Sequence, residues 1–382
     1  MKILLVSSGS GSRGGGEIFL DYLGKGLAER GHAVVVWMPQ HPRMDELAEK
    51  CARFGQVVRA DYRNTYDHKA RSLATCFNWN TSRRIAREWE GLQPDAIHLN
   101  KQNLEDGLDL LRAARQCRVP SICTIHLTQT AAYLRAKSAG VRDFIARATL
   151  EKYRGIFVTV QETRRADLEN FLAGRVCTQT IYNGVLARDR SVLPPLRAAK
   201  RKELGLNDRD FLVLGLGRLV EQKRPFEFLK IAQKLRVHFP AAKFLWVGDG
   251  ALLAPWKDWV AREKLESVIS CAGWQADALP FLAAGDLLLH VAEYEGLPLA
   301  IIEAMATGLP CAVTRNFASE IELFDESNVI FFDQPENLAE KLKDSIAMAG
   351  VAEKAHRLVR NQLSLENMIN AYEQLYSKVM TE

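Results

Sequence analysis

Apolar runs of strand length alternate with segments of helical period along almost the whole chain, in two successive series. The first series reads "KILLVSS", "AVVVWM", "AIHLN", "SICTIH" and "GIFVTV"; the second reads "FLVLGLGRL", "AKFLWVGD", "VISCAG", "DLLLHVA" and "PCAVT". Short runs that stay apolar without alternating belong to parallel strands covered by helices on both faces. Between the first two runs, "EIFLDYLGKGLAERGH" offers Ile18, Leu20, Tyr22, Leu23 and Leu27 as an apolar stripe and Gly31 as a stop, which predicts a βαβ unit. The fold class expected is α/β, with two doubly wound, Rossmann-like domains, and 382 residues leave room for both.

Between the two series, "NGVLARDRSVLPPLRAAKRKELGLNDRD" carries paired prolines, many charges and no period, so residues 184–200 read as a connection. This places an N-terminal domain over residues 1–190 and a C-terminal domain over 191–363. The final helix, about residues 364–382, has no strand after it and is expected to pack back on the first domain. Ligands of doubly wound sheets lie outside the carboxyl ends of the strands, so the expected site is a cleft where the two domains face each other.

Charged residues are 25% of the chain and the formal net charge is +5, without the clustered basicity of a nucleic-acid binder. The seven cysteines include no C-x-x-C pair, as expected of free thiols in a reducing compartment. No window approaches the roughly 20 apolar residues of a membrane span, and the first strand is too short to be a signal-peptide core. A cytoplasmic protein is expected.

"GSGSRGGGE", Gly9 to Glu17, spells G-x-G-x-x-G after the first strand. A dinucleotide site also needs an acid at the end of the second strand. That strand ends "VVVWMPQHP", and the nearest acid, Asp45, lies well beyond it. What remains is a glycine cluster, ending in Gly14, Gly15, Gly16 and Glu17, at a helix N-terminus. It suits a phosphate or a polar sugar, and equally a tight turn with nothing bound.

The densest signal is "AEYEGLPLAIIEAMATGLPCA". Pro298 suits a helix start and Gly308 a helix stop. Glu303 falls inside an otherwise apolar helix, where a carboxylate needs partners. Glu295 lies eight positions earlier, on the preceding loop. "GLGRLVEQKRP" brings Arg218 and Lys223 to a strand end and its following loop, as either a diphosphate clamp or two solvated cations.

In this order, these residues resemble the retaining glycosyltransferases of the GT-B architecture, family 4. The E-x7-E motif corresponds to Glu295 and Glu303, the basic pair to Arg218 and Lys223, and the N-terminal "GG-x-E" to Gly14, Gly15, Gly16 and Glu17. "VGDG" (Val247 to Gly250), "AGW" (Ala272 to Trp274) and "IYNGV" (Ile181 to Val185) add to the match, which spans most of the chain. The resemblance implies a nucleotide diphosphate sugar as donor, with UDP the base expected from family frequency. It implies a donor site of Gly14, Gly15, Arg218, Lys223, Gly248, Trp274, Glu295, Leu299, Ala300 and Glu303. Glu303 would take the ribose, Arg218 and Lys223 the pyrophosphate with the Leu299 and Ala300 amides, and Glu295 the donor sugar. His126, at the end of "SICTIH", would help position the reacting centre; the other reading is a buried, satisfied histidine. His126, Glu295, Arg218 and Lys223 would be the catalytic residues of a hexosyltransferase-type enzyme. One departure is "TRNFASEIEL" (Thr314 to Leu323), where the family commonly has a glycine pair before Pro-Glu, and this leaves the transferred sugar open.

No cofactor or metal is expected. Asp208-Arg209-Asp210 matches D-x-D but precedes a strand and reads as a turn, and no His/Cys cluster offers a metal site. The expected acceptor is a glycan or a lipid-linked sugar, as in lipopolysaccharide or surface-polysaccharide synthesis. "YLRAKSAGVRDFIARATLEKYRG" (Tyr133 to Gly155) is basic and amphipathic, with Val141, Phe144, Ile145 and Ala148 on one face. It fits either peripheral contact with an anionic membrane or an ordinary helix packed on its sheet. "CFNWNTSRR" (Cys76 to Arg84) adds an aromatic and two cations suited to a sugar. Rival readings are a nucleotide-sugar epimerase, a phosphorylase, and an inactive nucleotide-sugar-binding module.

Overall fold

The computed structural model describes residues 1–381 apart from 10, 12, 70, 77, 187, 188 and 208. The chain forms two compact units: Met1–Asn183 with Leu365–Glu382, and Gly184–Ser364.

In the first unit the strands are β1 (Lys2–Ser7), β2 (Ala33–Pro39), β3 (Gln56–Ala60), β4 (Ala96–Lys101), β5 (Ser121–Ile125), β6 (Ile156–Thr159) and β7 (Thr178–Thr180). They pair in parallel in the order β3-β2-β1-β4-β5-β6-β7. The order reverses between β1 and β4, the switch point at which such sheets take ligands. Side chains alternate between two cores, as the pleat requires. Leu4 and Val6 face Trp37, Trp89 and Phe157, while Ile3 and Leu5 face Phe19, Leu23, Tyr372 and Tyr376.

Helix Gly15–Glu29 buries Phe19, Leu20, Leu23 and Leu27. Phe19 takes the core position expected of Ile18 and Tyr22, which are half-buried. Helix Leu365–Thr381 packs on the same face of the sheet, with Ile369 lying where a side chain at Gly26 would project. Its tyrosines also bond into the sheet: Tyr376 Oη lies 2.7 Å from His98 Nδ1 and Tyr372 Oη 2.9 Å from Thr124 Oγ1. The amphipathic segment after β5 is helical over Ala139–Leu150. It buries Ala146, Thr149 and Leu150, half-buries Ile145 and Ala148, and leaves Val141 52% and Phe144 71% exposed.

In the second unit the strands are β8 (Phe211–Leu216), β9 (Ala242–Val247), β10 (Ile269–Gly273), β11 (Leu287–His290), β12 (Cys311–Thr314) and β13 (Ile330–Phe332). All pair in parallel, in the order β10-β9-β8-β11-β12-β13, with the switch between β8 and β11.

The segment expected to be a connection is structured. Residues Leu193–Glu203 form a helix that starts on its proline pair and ends on Lys200, Arg201 and Lys202. Prolines cost nothing at a first turn, whose N–H groups have no intrahelical acceptor, and cations suit the carbonyl end. The charges are not simply solvated. Arg197 and Arg201 both reach Asp286, at 2.6 and 3.1 Å, and both donate to the Ala284 carbonyl. Among the described residues no helix is long and apolar enough to cross a membrane.

Candidate functional site

In the second unit the expected donor residues stand at the carboxyl ends of β8, β9, β10 and β11. Gly217, just past β8, and Gly248, just past β9, both have positive φ, +143° and +137°. A Cβ at Gly248 would strike the Gly217 carbonyl, which also accepts from Trp246 Nε1 at 2.9 Å. Glycine lets the two strand ends touch here. Arg218 follows with an exposed side chain, and Trp274, just past β10, is half-buried.

Lys223 ends the short 3-10 helix Glu221–Lys223. Its stem crosses Gly217, and its ammonium forms an ion pair with Glu295, on the loop after β11. Two further bonds tie these loops: Glu293 N–H donates to the Gln222 carbonyl at 2.8 Å and Gln222 Nε2 to the Tyr294 carbonyl at 2.9 Å. The Glu295 side chain is 12% exposed. Burial alone would raise its pKa, but the Lys223 charge, with help from His290, outweighs burial and brings it down to about 2. His290 Nε2 stands 3.6 Å from the carboxylate, too far for a hydrogen bond. Burial lowers the His290 pKa, and its ring packs 5.0 Å from Phe317. Phe317 belongs to the segment that departs from the family pattern, so that departure lies one side chain from Glu295.

Helix Leu299–Thr307 follows, with Pro298 as N-cap and Gly308, at φ +75°, ending it. Its backbone bonding begins with Ile301 N–H to the Pro298 carbonyl at 3.1 Å, which leaves the Leu299 and Ala300 amides as open donors among the described residues. The helix is buried except at Ala300 and Glu303, which are half-buried and lie three residues apart on one face. The Glu303 carboxylate therefore does not sit in the apolar core that its sequence neighbours imply. Ammonium, carboxylate and open amides converge on the switch point of this sheet, a place suited to a polyanion bearing hydroxyl groups.

In the first unit Gly14 is the N-cap of helix Gly15–Glu29. The Glu17 carboxylate turns back over the helix start, into the space that Cβ atoms at Gly9 and Gly14 would take. It accepts from Gln102 Nε2 at 3.0 Å. With a carboxylate already at the positive helix end, the turn suits a hydroxyl better than the phosphate that the sequence also allows. Asp106 ties the ends of β1 and β4, accepting from Ser8 Oγ and, at 3.3 Å, from the Gln102 N–H, and it also accepts from Asn64 Nδ2 at 3.1 Å.

His126, directly after β5, is buried. Its Nε2 lies 2.7 Å from Asn100 Oδ1, and the Phe19 ring packs edge-on at 5.0 Å. Burial brings its pKa down to about 4, so the ring is neutral at neutral pH. The sequence reading passed over Asn100, Gln102 and His290, although polar residues in apolar "AIHLNK" and "DLLLHVA" are the signal that marks two of them. Asp208 of the D-x-D match and Phe77 lie outside the described residues. Trp79 is exposed beside Arg112, whose guanidinium carbon stands 5.3 Å from the ring centre.

Residues 13–187 match the model for Glycosyltransferase Family 4 and residues 197–364 that for Glycosyl transferases group 1. An Escherichia coli relative, UDP-Gal:alpha-D-GlcNAc-diphosphoundecaprenol alpha-1,3-galactosyltransferase, is 30% identical over 216 residues, 53% of this chain and 54% of its own. N-acetyl-alpha-D-glucosaminyl L-malate synthase of Bacillus anthracis is 26% identical over 53% of this chain and 54% of its own. The matched regions thus span about half the length of these relatives. Among solved structures, Anabaena HepE in complex with UDP-glucose superposes with a TM-score of 0.78 at 19% identity, over 99% of this chain and 100% of its own.

Proposed function

Since this chain belongs to the GT-B glycosyltransferases of family 4 and group 1, we propose that it is a retaining, metal-independent hexosyltransferase. The donor is a nucleotide diphosphate sugar, with UDP as the nucleotide. The acceptor is a glycan or lipid-linked sugar of the kind used to build lipopolysaccharide or surface polysaccharide. The observation that carries this reading is the Lys223–Glu295 pair beside the open amides of helix Leu299–Thr307.

Arg218, Lys223 and the Leu299 and Ala300 amides hold the diphosphate, and both cations act most strongly as the leaving group gains charge. Glu303 takes the ribose hydroxyls, Glu295 the donor-sugar hydroxyls, and Gly248 and Trp274 flank the nucleotide. When phosphate oxygens arrive, Lys223 exchanges part of its carboxylate contact for them and releases Glu295 oxygens for sugar hydroxyls. Gly14, Gly15 and His126 attend the transferred sugar. The acceptor attacks on the face that the leaving group quits. The E. coli relative, named for transfer from UDP-galactose to a diphosphoundecaprenol-linked sugar, supports the donor base and a lipid-linked acceptor. Among the described residues no group of three His, Cys, Asp or Glu side chains gathers where a metal ion could bind.

Peripheral contact with an anionic membrane is part of the proposal. Tyr133, Leu134, Val141 and Phe144 are exposed close together in the chain, among the exposed cations Arg135, Lys137 and Arg147. The test of the donor site is calorimetric titration with UDP, GDP and ADP in EDTA. UDP is expected to bind most tightly, with EDTA making no difference. Absence of binding by all three nucleotides would remove the donor reading.

A further inference from the structure

We propose that Asn100 is the positioning residue for His126, fixing it as the Nε2–H tautomer and leaving Nδ1 to accept a hydrogen bond from a substrate hydroxyl. The inference rests on the reading that His126 serves sugar transfer.

The amide of Asn100 has one donor end and one acceptor end, and its surroundings decide which is which. Its Nδ2 lies 2.8 Å from the Gly16 carbonyl, which can only accept, so the nitrogen must face that way. Oδ1 then faces His126 Nε2 at 2.7 Å. A carbonyl oxygen cannot donate, so Nε2 must carry the hydrogen. A neutral imidazole has one N–H, and Nδ1 is therefore an acceptor. Among the described residues no protein group bonds to Nδ1.

The surroundings hold this geometry. Asn100 is buried in β4. The His126 N–H donates to the Lys101 carbonyl at 3.2 Å and the Leu127 N–H to the Gln102 carbonyl at 3.0 Å, so the chain leaving β5 stays registered against β4. Phe19 braces the ring from helix Gly15–Glu29. Of the ionisable groups nearby, His98 on β4 is itself kept neutral by burial, and Glu17 on the helix is engaged by Gln102.

Two consequences follow. His126 presents a lone pair and no charge to substrate around neutral pH, so it orients a hydroxyl and donates no proton. Through the Gly16 carbonyl, the orientation of the ring is also tied to the glycine turn, so one side chain links the two candidate elements of the first unit.

The first test is a long-range proton–nitrogen NMR spectrum of the full-length, nitrogen-15-labelled protein at pH 7.5, with the His126 signals assigned by their loss in His126→Gln. A protonated Nε2 and unprotonated Nδ1 are expected, and a proton on Nδ1 overturns the proposal. The second test is the pH dependence of kcat with a UDP-sugar. In Asn100→Asp a carboxylate replaces the amide oxygen and favours the imidazolium, so the acid limb should move up by about 1–2 pH units. Asn100→Leu should lower kcat by roughly 10- to 100-fold, with KM for the donor changing less. An Asn100→Asp profile that superimposes on the wild-type profile overturns the positioning role. If Asn100→Asp does not fold, the wild-type spectrum still decides. If the wild type transfers no sugar, the transferase reading fails while the tautomer remains measurable.

Discussion

Replacing Lys223 by Met keeps an unbranched stem across Gly217 and removes only the charge facing Glu295. Against burial, the Lys223 charge, with help from His290, brings the Glu295 pKa from an ordinary 4.5 to about 2. At about 1.4 kcal/mol for each tenfold change in proton affinity, this is about 3 kcal/mol of preference for the ionised form at neutral pH. Lys223→Met leaves a carboxylate that is 12% exposed in the wild type, with His290 Nε2, at 3.6 Å, as its remaining ion-pair neighbour among the described residues. The expected loss of stability at pH 7 is about 3 kcal/mol, in the range for removing one member of a buried pair. The sign of the pH dependence follows from the lowered pKa: the stabilisation is full above 4.5 and fades as pH falls towards 2. The gap between wild type and variant should therefore narrow by about 1 kcal/mol on going from pH 7 to pH 3.5. Urea unfolding at both pH values measures it, and Glu295→Gln in the Lys223→Met background should restore part of the loss. Turnover should drop roughly 10²–10³-fold if, as proposed, the lost cation faces the leaving diphosphate. A stability gap that ignores pH, or near-normal turnover, refutes the reasoning.

Gly248→Ala places a methyl group against the Gly217 carbonyl at positive φ. It should cost more than about 1 kcal/mol in urea unfolding and weaken UDP binding; wild-type values would show that this contact is not needed. Glu303→Ala should weaken UDP by roughly 10- to 100-fold in calorimetry, the value of hydrogen bonds to a charged group, and an unchanged Kd would remove Glu303 from the nucleotide. Burial holds the His98 pKa down at about 3. The unfolded chain therefore takes up a proton that the folded chain refuses between about pH 6.5 and 3. Stability should fall as pH drops through that window, by about 1.4 kcal/mol per pH unit from this group, and His98→Gln should flatten the slope in an unfolding series from pH 7 to 4.5. The protein should sediment with anionic vesicles and less with zwitterionic ones, and Phe144→Asp should abolish the difference; equal sedimentation of both proteins refutes the membrane surface.

The long apolar strands were legible because a strand buried on both faces must be apolar along its length. β3, β7 and β13 were not, since "QVVRA", "TQT" and "IFF" are short and partly exposed, and pairing with a neighbour decides their state. The helix Leu193–Glu203 was hidden because its cations look solvated until Asp286, far along the chain, is brought to them. Within the candidate site, Glu295, Glu303, Arg218 and Lys223 were visible through local spacing at strand ends and a helix start. Their pairing was not: Lys223 meets Glu295 across 72 residues, and His126 meets Asn100 across 26. The glycine turn showed its permissive backbone in sequence but not what fills it, which is the carboxylate of Glu17.

Because helix Leu365–Thr381 completes the first unit, that unit is the last to be finished during synthesis. The ribosome delivers the seven strands of its sheet early, then spends roughly 10–40 seconds on residues 184–364 before the helix that covers them exists. Through that interval the face carrying Ile3, Leu5 and Val36 lacks Ile369, Tyr372 and Tyr376, and the His98 and Thr124 side chains lack their tyrosine hydroxyls. The nascent chain thus carries an open apolar sheet face through the making of a whole second unit, and a chain cut short before helix Leu365–Thr381 would never close it.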